Sequence, residues 1–171
     1  RVNSISESQT IAMARKSREL KAKGIDIISL SLGEPDFSTP QIIKDAAKKA
    51  IDDNFSYYTH VSGYLELREA ICTKFKRDNG LQYAADEIVV STGAKQSIAN
   101  AVLCLVNPGD EVVLIEPLYD TYVPVVRMLG ATPRIVRLSP PHWNLPHAEL
   151  EAAFGPKTKA ILFNSPMNPC S

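Results

Sequence analysis

The chain has 171 residues, 44% of them apolar, which fits one ordinary domain of a soluble globular protein and argues against a disordered or membrane-spanning chain. Its nineteen basic and nineteen acidic residues cancel, so no bulk charge favours binding to nucleic acid, an anionic membrane or a polyanionic partner. The composition therefore favours a small-molecule partner.

The cysteines and the apolar runs limit the class of protein further. Cys72, Cys104 and Cys170 are widely spaced, without a CxxC motif or a histidine cluster, so we predict neither a disulfide framework nor a metal site. The start of the sequence is polar, and no run approaches the roughly eighteen apolar residues of a membrane helix. We expect a cytoplasmic protein.

The first part of the chain is predicted to be mainly helical. Residues 8–23 form a polar helix ended by Gly24, and residues 25–32 follow as a short strand. In the next loop, Thr39 is positioned to cap a helix whose first residue is Pro40. Two core-forming helix faces come after it, made by Ile43, Ala46, Ala47, Ala50 and Ile51, and then by Leu67, Ala70, Ile71 and Phe75.

From residue 86 onward, short β-rich runs alternate with helical periodicity. The predicted strands are 87–91, 111–115, 132–138 and 159–164, and helix faces lie between them. This alternation predicts an α/β fold with a mostly parallel sheet and helices on both faces. In such sheets ligands bind beyond the carboxyl ends of the strands, so the turns that follow the strands are the candidate binding sites.

Three of these turns carry unusual residues. After the first strand, Gly93 would let the backbone at a helix start approach an anion closely, a phosphate above all, or would simply be a turn residue. After the second strand, the ring of Tyr119 would stack on a planar cofactor or pack against its neighbours. After the fourth strand, residues 164–169 hold two asparagines and two prolines, which offer fixed amide donors or form an ordinary turn.

Two earlier segments are weaker candidates. The exposed backbone of residues 33–36 would be able to hold a carboxylate. Tyr57, Tyr58 and His60 lie in a loop ahead of Gly63, where a lone histidine is more often an ordinary loop residue than a ligand or a base. Neither segment indicates a function by itself.

A resemblance to a known family joins these pieces, and it is carried by five motifs in a fixed order: LSLGEPDFSTP, YYTHVSGYLELRE, STGAKQ, NPGDEVVLIEPLYDTY and KAILFNSPMNP. Together they resemble the class I aminotransferases of pyridoxal-phosphate fold type I, and GEPDF, TGAKQ and NSPMNP are most similar to the bacterial type of aspartate aminotransferase. The likeness covers essentially the whole chain. It implies an N-terminal arm and the start of the small domain in residues 1–38, and the front part of the cofactor-binding large domain, incomplete, in residues 39–171.

The resemblance also implies which residues bind the cofactor, pyridoxal 5'-phosphate. Gly93, Ala94 and Lys95 match the positions whose backbone amides hold the cofactor phosphate. Tyr119 matches the aromatic residue that stacks on the pyridine ring. Asn168 matches the asparagine that hydrogen-bonds the phenolic oxygen of the cofactor and the carboxylate of the substrate.

Further positions are implied to serve the substrate and the subunit partner. Gly33 matches the glycine beside the substrate carboxylate, and Lys95 is similar to the lysine of enzymes that favour dicarboxylic substrates. Ser8 and Thr10 fall in the segment that closes over such substrates. Tyr58 matches the tyrosine that reaches the phosphate bound by a neighbouring subunit, which implies a homodimer.

Two features depart from the family pattern. Cys170 and Ser171 stand where the family has threonine and glycine, which puts the local turn geometry in question. The Schiff-base lysine, the aspartate of the ring nitrogen and the arginine of the substrate carboxylate lie further along in the family, so no catalytic residue is assigned here. We therefore expect a partial sequence that is inactive alone and folds poorly without the rest of its core.

The predicted activity belongs to the full-length protein. It is the transfer of an amino group between an amino acid, aspartate-like or glutamate-like, and a 2-oxo acid. One alternative is a fold-type-I pyridoxal-phosphate lyase, which shares the scaffold and much of the front half. The other is a non-catalytic fragment with only a binding role.

Overall fold

The computed structural model describes residues 8–30, 32–168 and 170, and these form two compact units. The first comprises the described residues up to Leu32 together with those from Lys95 onward, and we call it the sheet unit. The second is Gly33–Ala94, and we call it the helical unit. The division places the parallel sheet and most of the buried core in the sheet unit.

Six α-helices follow one another along the described residues: α1 (Gln9–Ala22), α2 (Gln41–Asp52), α3 (Leu65–Lys74), α4 (Ala94–Leu105), α5 (Tyr122–Met128) and α6 (His147–Ala153). A π-helical turn, Phe75–Asn79, continues α3, and a short 3₁₀ helix covers Ala85–Glu87. In the part of the chain that the structure describes, no helix is both long and apolar enough to cross a membrane.

Three parallel strands build the sheet: β1 (Glu111–Glu116), β2 (Thr132–Arg137) and β3 (Thr158–Leu162). Their order is β2-β1-β3, so the strand that comes first in the chain lies in the middle. Parallel neighbours require a crossover connection, and α5 and α6 provide the two crossovers. The predicted parallel α/β sheet is confirmed, and each of the last three predicted strands agrees with an observed one to within two residues at either end.

The core lies on both faces of β1, because successive side chains of a strand point to opposite faces. On one face, Val112 and Leu114 pack in a cluster with Val102 of α4 and Val126 of α5, and all four are 3% exposed or less. On the other face, Val113 packs with Val136 of β2 and with the α6 residues Ala153 and Leu150. The predicted covering of the sheet by helices on both faces is therefore confirmed.

Two predicted strands are wrong. Residues 25–30 and Leu32 lie outside any β-ladder, and Ile28 and Leu30 are 87% and 91% exposed. Glu87 ends the 3₁₀ helix, and residues 88–91 also form no ladder. Both segments have an apolar, β-prone pattern, but a strand also needs a neighbour that completes its backbone hydrogen bonds.

Two expectations about the helical unit are also corrected. The N-cap of α2 is Pro40, without a side-chain hydrogen bond, so Thr39 does not cap this helix. Neither α2 nor α3 contains a buried residue, although their apolar faces were expected to form core. The unit relies instead on local contacts, such as the Arg68 side chain, which donates to the carbonyl oxygens of Gly63 (3.2 Å) and Ala85 (2.8 Å).

Candidate active site

The candidate site of the sheet unit lies where the parallel strands β1 and β3 end. The turn after β1 carries Tyr119, and the turn after β3 carries Asn164 and Met167; these three residues and Tyr122 contribute to the lining of one small cavity. Because both turns follow the carboxyl ends of parallel strands, this is the edge of an α/β sheet where ligands bind. The expected location of a site is therefore matched by a cavity.

Tyr119 is held from two directions. Its ring packs edge-to-face against the ring of Tyr122, with 5.8 Å between the centroids and 76° between the planes. The ammonium nitrogen of Lys95 lies 5.2 Å from the Tyr119 centroid, within the range of a cation–π interaction. A ring fixed in this way offers a pre-set aromatic surface for a planar ligand, since little side-chain freedom remains to be lost on binding.

A carboxylate stands beside this pair. The Lys95 ammonium nitrogen lies 3.9 Å from Oδ1 of Asp120, and the Thr121 hydroxyl donates to the same oxygen at 3.4 Å. The Ser8 hydroxyl, which caps α1, donates to Oδ2 of Asp120. The hydrogen bond between Ser8 and Asp120 thus links the start of the first helix to the turn after β1, across 112 residues of sequence.

Lys95 itself belongs to the first turn of α4. The preceding Gly93 has φ +82°, a left-handed conformation that favours glycine, and a Cβ added there would have no atom within 4 Å. The first amides of a helix have no partner inside the helix, so the N–H groups of Ala94 and Lys95 are suited to donate to an anion at this end. The phosphate-binding prediction for Gly93, Ala94 and Lys95 is compatible with this local geometry.

The remaining predicted site residues are less constrained. Asn168 is exposed at the end of the turn after β3, where Asn164 rather than Asn168 contributes to the small cavity. Gly33 and Tyr58 belong to the helical unit, and both are exposed. Tyr58 is fully accessible to solvent in the part of the chain that the structure describes, with a relative exposure of 107%. Their assigned roles stay predictions.

The sequence predicts no binding role for Asp120 or Tyr122, and it predicts Asn164 only as one of two possible amide donors in its loop. Asp120 stands directly after the stacking candidate Tyr119, and a carboxylate next to an aromatic residue in a strand-end turn is the signal that could have found it. Among the described residues, no group of three or more histidine, cysteine, aspartate or glutamate side chains is arranged to hold a metal ion, and Cys72, Cys104 and Cys170 are free thiols.

Comparison with known proteins gives one consistent result. The sequence model described as aminotransferase class I and II matches residues 25–171. An aspartate/prephenate aminotransferase of Cereibacter sphaeroides is 48% identical over 166 residues, which make up 96% of this chain and 42% of the relative. The residues matched by the family model include every candidate residue of the sheet unit except Ser8 and Thr10.

Solved structures agree with the sequence comparison. The crystal structure of an aspartate aminotransferase from Rhizobium meliloti superposes with a TM-score of 0.89 at 39% identity, over 98% of this chain and 42% of that one. The aspartate aminotransferase of Thermus thermophilus with maleate gives a TM-score of 0.94 at 37% identity, over 98% and 44%. The chain therefore spans less than half the length of the proteins it resembles.

Proposed function

Because the chain belongs to the class I and II aminotransferase family, we propose that the full-length protein moves an amino group between an amino acid and a 2-oxo acid with pyridoxal 5'-phosphate as cofactor. The observation that supports this best is that Tyr119 and Asn164 line one cavity at the carboxyl ends of parallel strands, with the Lys95 ammonium 5.2 Å from the centroid of the Tyr119 ring. That edge of the sheet is where the fold places ligands. The proposal concerns the full-length protein, since the chain spans 42% of its relative from Cereibacter sphaeroides.

The residues present fit the chemical features of this cofactor. A planar ring needs a flat partner, which Tyr119 offers. A phosphate needs hydrogen-bond donors, which the backbone N–H groups at the start of α4 offer, and the open space around Gly93 lets an anion come close. When bound, the cofactor supplies an electron sink that stabilises negative charge on the α-carbon of an amino acid.

Each residue then has a defined share in binding. The backbone amides of Gly93, Ala94 and Lys95 would hold the phosphate, and Tyr119 would stack on the ring. Asn168 would hydrogen-bond the phenolic oxygen and the substrate carboxylate. These groups orient the reacting atoms and exclude water, a contribution that depends on fixed geometry rather than on proton transfer.

The helical unit and the division into domains complete the proposal. Gly33 would bind the substrate carboxylate, and Tyr58 would reach the phosphate held by a second subunit, which makes the proposed active protein a homodimer. Residues 1–38 form the arm and the start of the small domain, and residues 39–171 the front of the large domain. The lysine that would bind the cofactor covalently is expected in the part of the full-length protein that this chain does not span.

We further propose that the amino donor is aspartate or a similar dicarboxylic acid. The relatives named above act on aspartate by their names, and Lys95 places a cation at the candidate site. An ammonium group suits a second substrate carboxylate, because charge-assisted hydrogen bonds are stronger than neutral ones.

The first experiment combines mass and product. Full-length protein is incubated with pyridoxal 5'-phosphate and reduced with borohydride, and its intact mass is measured by mass spectrometry. The unreduced protein is assayed for formation of a 2-oxo acid from aspartate in the presence of a 2-oxo acid acceptor. One reduced cofactor per chain together with amino transfer supports the proposal. A cofactor adduct that accompanies bond cleavage without amino transfer would instead identify a lyase, and the lack of any stoichiometric adduct would leave a binding role.

Tyr119 provides a second, independent test. Tyr119→Ala should weaken cofactor retention in a dialysis or fluorescence titration, whereas Tyr119→Phe keeps the ring and should retain most of the affinity. Tyr83→Ala is the matched control, because Tyr83 packs edge-to-face on Phe75 within the helical unit and has no assigned role. Equal cofactor affinity in the wild type and in Tyr119→Ala would remove Tyr119 from the site.

A further inference from the structure

The Asp120 carboxylate is an internal anion held in a fixed position. It accepts hydrogen bonds from the Ser8 hydroxyl on one oxygen and from the Thr121 hydroxyl on the other. Its side chain is 27% exposed, so it is partly withdrawn from water. Donors on both oxygens define the orientation of the carboxylate and keep it facing Lys95.

Lys95, by contrast, is available to other anions. Its side chain is 52% exposed, and its ammonium nitrogen is 3.9 Å from the nearest Asp120 oxygen, beyond the range of a direct hydrogen bond. The ammonium has three N–H donors, and a half-exposed ion pair of this length is weak. A second carboxylate can therefore approach Lys95, but it must do so beside the negative charge of Asp120.

From this arrangement we propose that Asp120 is a built-in counter-ion that competes with a substrate side-chain carboxylate for Lys95, and thereby sets the selectivity between dicarboxylic and uncharged amino acids. This inference rests on the proposed function and deepens it. An uncharged substrate side chain does not compete with Asp120 for Lys95, and the negative charge of Asp120 does not repel it. Asp120 acts as a positioning and specificity residue, because it influences the substrate through Lys95.

Removal of the charge, with the shape retained, isolates this effect. Asp120→Asn keeps the size of the side chain and an oxygen that accepts from the Ser8 hydroxyl, but it removes the competing anion. In the full-length holoenzyme, we expect maleate, a dicarboxylate without a transferable amino group, to bind on the order of tenfold more tightly, since one like charge near the site is lost. Isothermal titration calorimetry measures this binding without any turnover.

The kinetic counterpart compares aspartate with alanine. The ratio of kcat/KM for aspartate to kcat/KM for alanine should rise by on the order of tenfold in Asp120→Asn. The rise should come from a lower KM for aspartate. Glu151→Gln on α6 removes the same charge from an exposed helix position and should leave the ratio as in the wild type. Asp120→Ala should shift the ratio in the same direction as Asp120→Asn, which guards against a fault in one variant.

A substitution at Lys95 tests whether the effect of Asp120→Asn on maleate affinity depends on the Lys95 ammonium. In the double variant Lys95→Ala with Asp120→Asn, the gain in maleate affinity should disappear. Weaker or unchanged maleate binding in Asp120→Asn would overturn the proposal, because Asp120 would then support Lys95 rather than compete for it. Failure of the wild type to transfer an amino group would count against the proposed function alone, since maleate binding tests Asp120 separately.

Discussion

β1 and α2 each carry an apolar surface, but the surface of β1 is buried and that of α2 is exposed. In β1, the four residues from Val112 to Ile115 are at most 8% exposed, since helices cover both faces of the sheet. In α2, Ile42 and Ile51 are 79% and 72% exposed, and no residue of the helix is buried. The comparison shows that an apolar stripe identifies a surface to be buried but not the element that buries it.

The difference follows from where the partners lie in the sequence. The elements around β1 all come from residues 94–162, so the described chain contains what the strand needs. The stripe on α2 stays exposed within the described chain. Apolar surface left in water is unfavourable by roughly 25 cal/mol per Å². We expect the apolar faces of α2 and α3 to be covered in the proposed full-length protein, and the predictions below probe this contrast.

The largest effect is expected in the centre of the sheet. Leu114→Ala should lower the free energy of unfolding by about 2–5 kcal/mol, because it leaves a cavity between β1, α4 and α5. Leu67→Ala, the same change on the 45% exposed α3 face, should cost below about 1 kcal/mol wherever that face stays in water. Urea denaturation of the full-length protein, monitored by circular dichroism, gives both values.

The same pair sharpens the comparison in the full-length protein. If the remaining protein covers the helical unit, the cost of Leu67→Ala should rise toward that of Leu114→Ala there. A cost for Leu67→Ala that stays small in the full-length protein would show that the α3 face remains in water, and our inference about the covering of the helical unit would be wrong.

A second, smaller effect is expected at a tight contact in the helical unit. Gly63 has φ +96°, and a Cβ added there would lie 3.0 Å from Cβ and Cγ2 of Val90. Gly63→Ala should therefore destabilise the protein by about 2–3 kcal/mol, from left-handed strain and from overpacking. Gly80→Ala is the control, since φ is +68° there and no atom lies within 4 Å.

Thermal unfolding of the two glycine variants separates the causes. Gly80→Ala should cost only the conformational part, about 1–2 kcal/mol, so the difference between the variants measures the contact with Val90. Equal losses in both variants would mean that Val90 moves aside freely, and that the helical unit is loosely packed even where it has a close contact.

The sequence predicted the sheet unit better than the helical unit for the same reason. The parallel sheet and its three strands follow from local periodicity, because their partners are close along the chain. Residues 25–30 and 88–91 have the same β-prone texture, but the described chain gives them no ladder, and periodicity cannot reveal that. At the candidate site, Tyr119 is predicted from its place at a strand end, whereas Asp120 is not, since its contact with Ser8 spans 112 residues.

The Ser8 contact gives the third prediction. Ser8→Ala removes both the cap that accepts from the Ile11 N–H and the donor to Asp120, and it should destabilise α1 by about 1 kcal/mol. Ser17→Ala, in the interior of the same helix, should be neutral or slightly stabilising because alanine has the higher helix propensity. Amide hydrogen exchange across α1 reports the difference, and equal protection in the two variants would contradict a capping role for Ser8.

The smallest effect is expected at an exposed ion pair of the helical unit. Arg77 donates to both carboxylate oxygens of Asp78, at 2.6 and 3.0 Å, and these hydrogen bonds hold the pKa of Asp78 below its ordinary value, with a smaller contribution from the charge of Lys74. A lowered folded-state pKa contributes stability above the unfolded pKa and loses it as the pH falls through the folded value. Because the pair is solvated, we expect Asp78→Asn to change stability too little to measure.

The pKa itself is the sensitive readout of that pair. In a carbon-detected NMR titration, the Asp78 carboxyl should titrate below the ordinary aspartate range, and Arg77→Gln should return its midpoint toward that range. Lys74→Gln is the matched control and should move the midpoint less, since Lys74 acts only through its charge at 3.9 Å. A midpoint unaffected by Arg77→Gln would show that the pair does not persist in solution. A clear shift without a change in unfolding would show that surface charge pairs cannot replace the buried contacts that β1 has and α2 lacks.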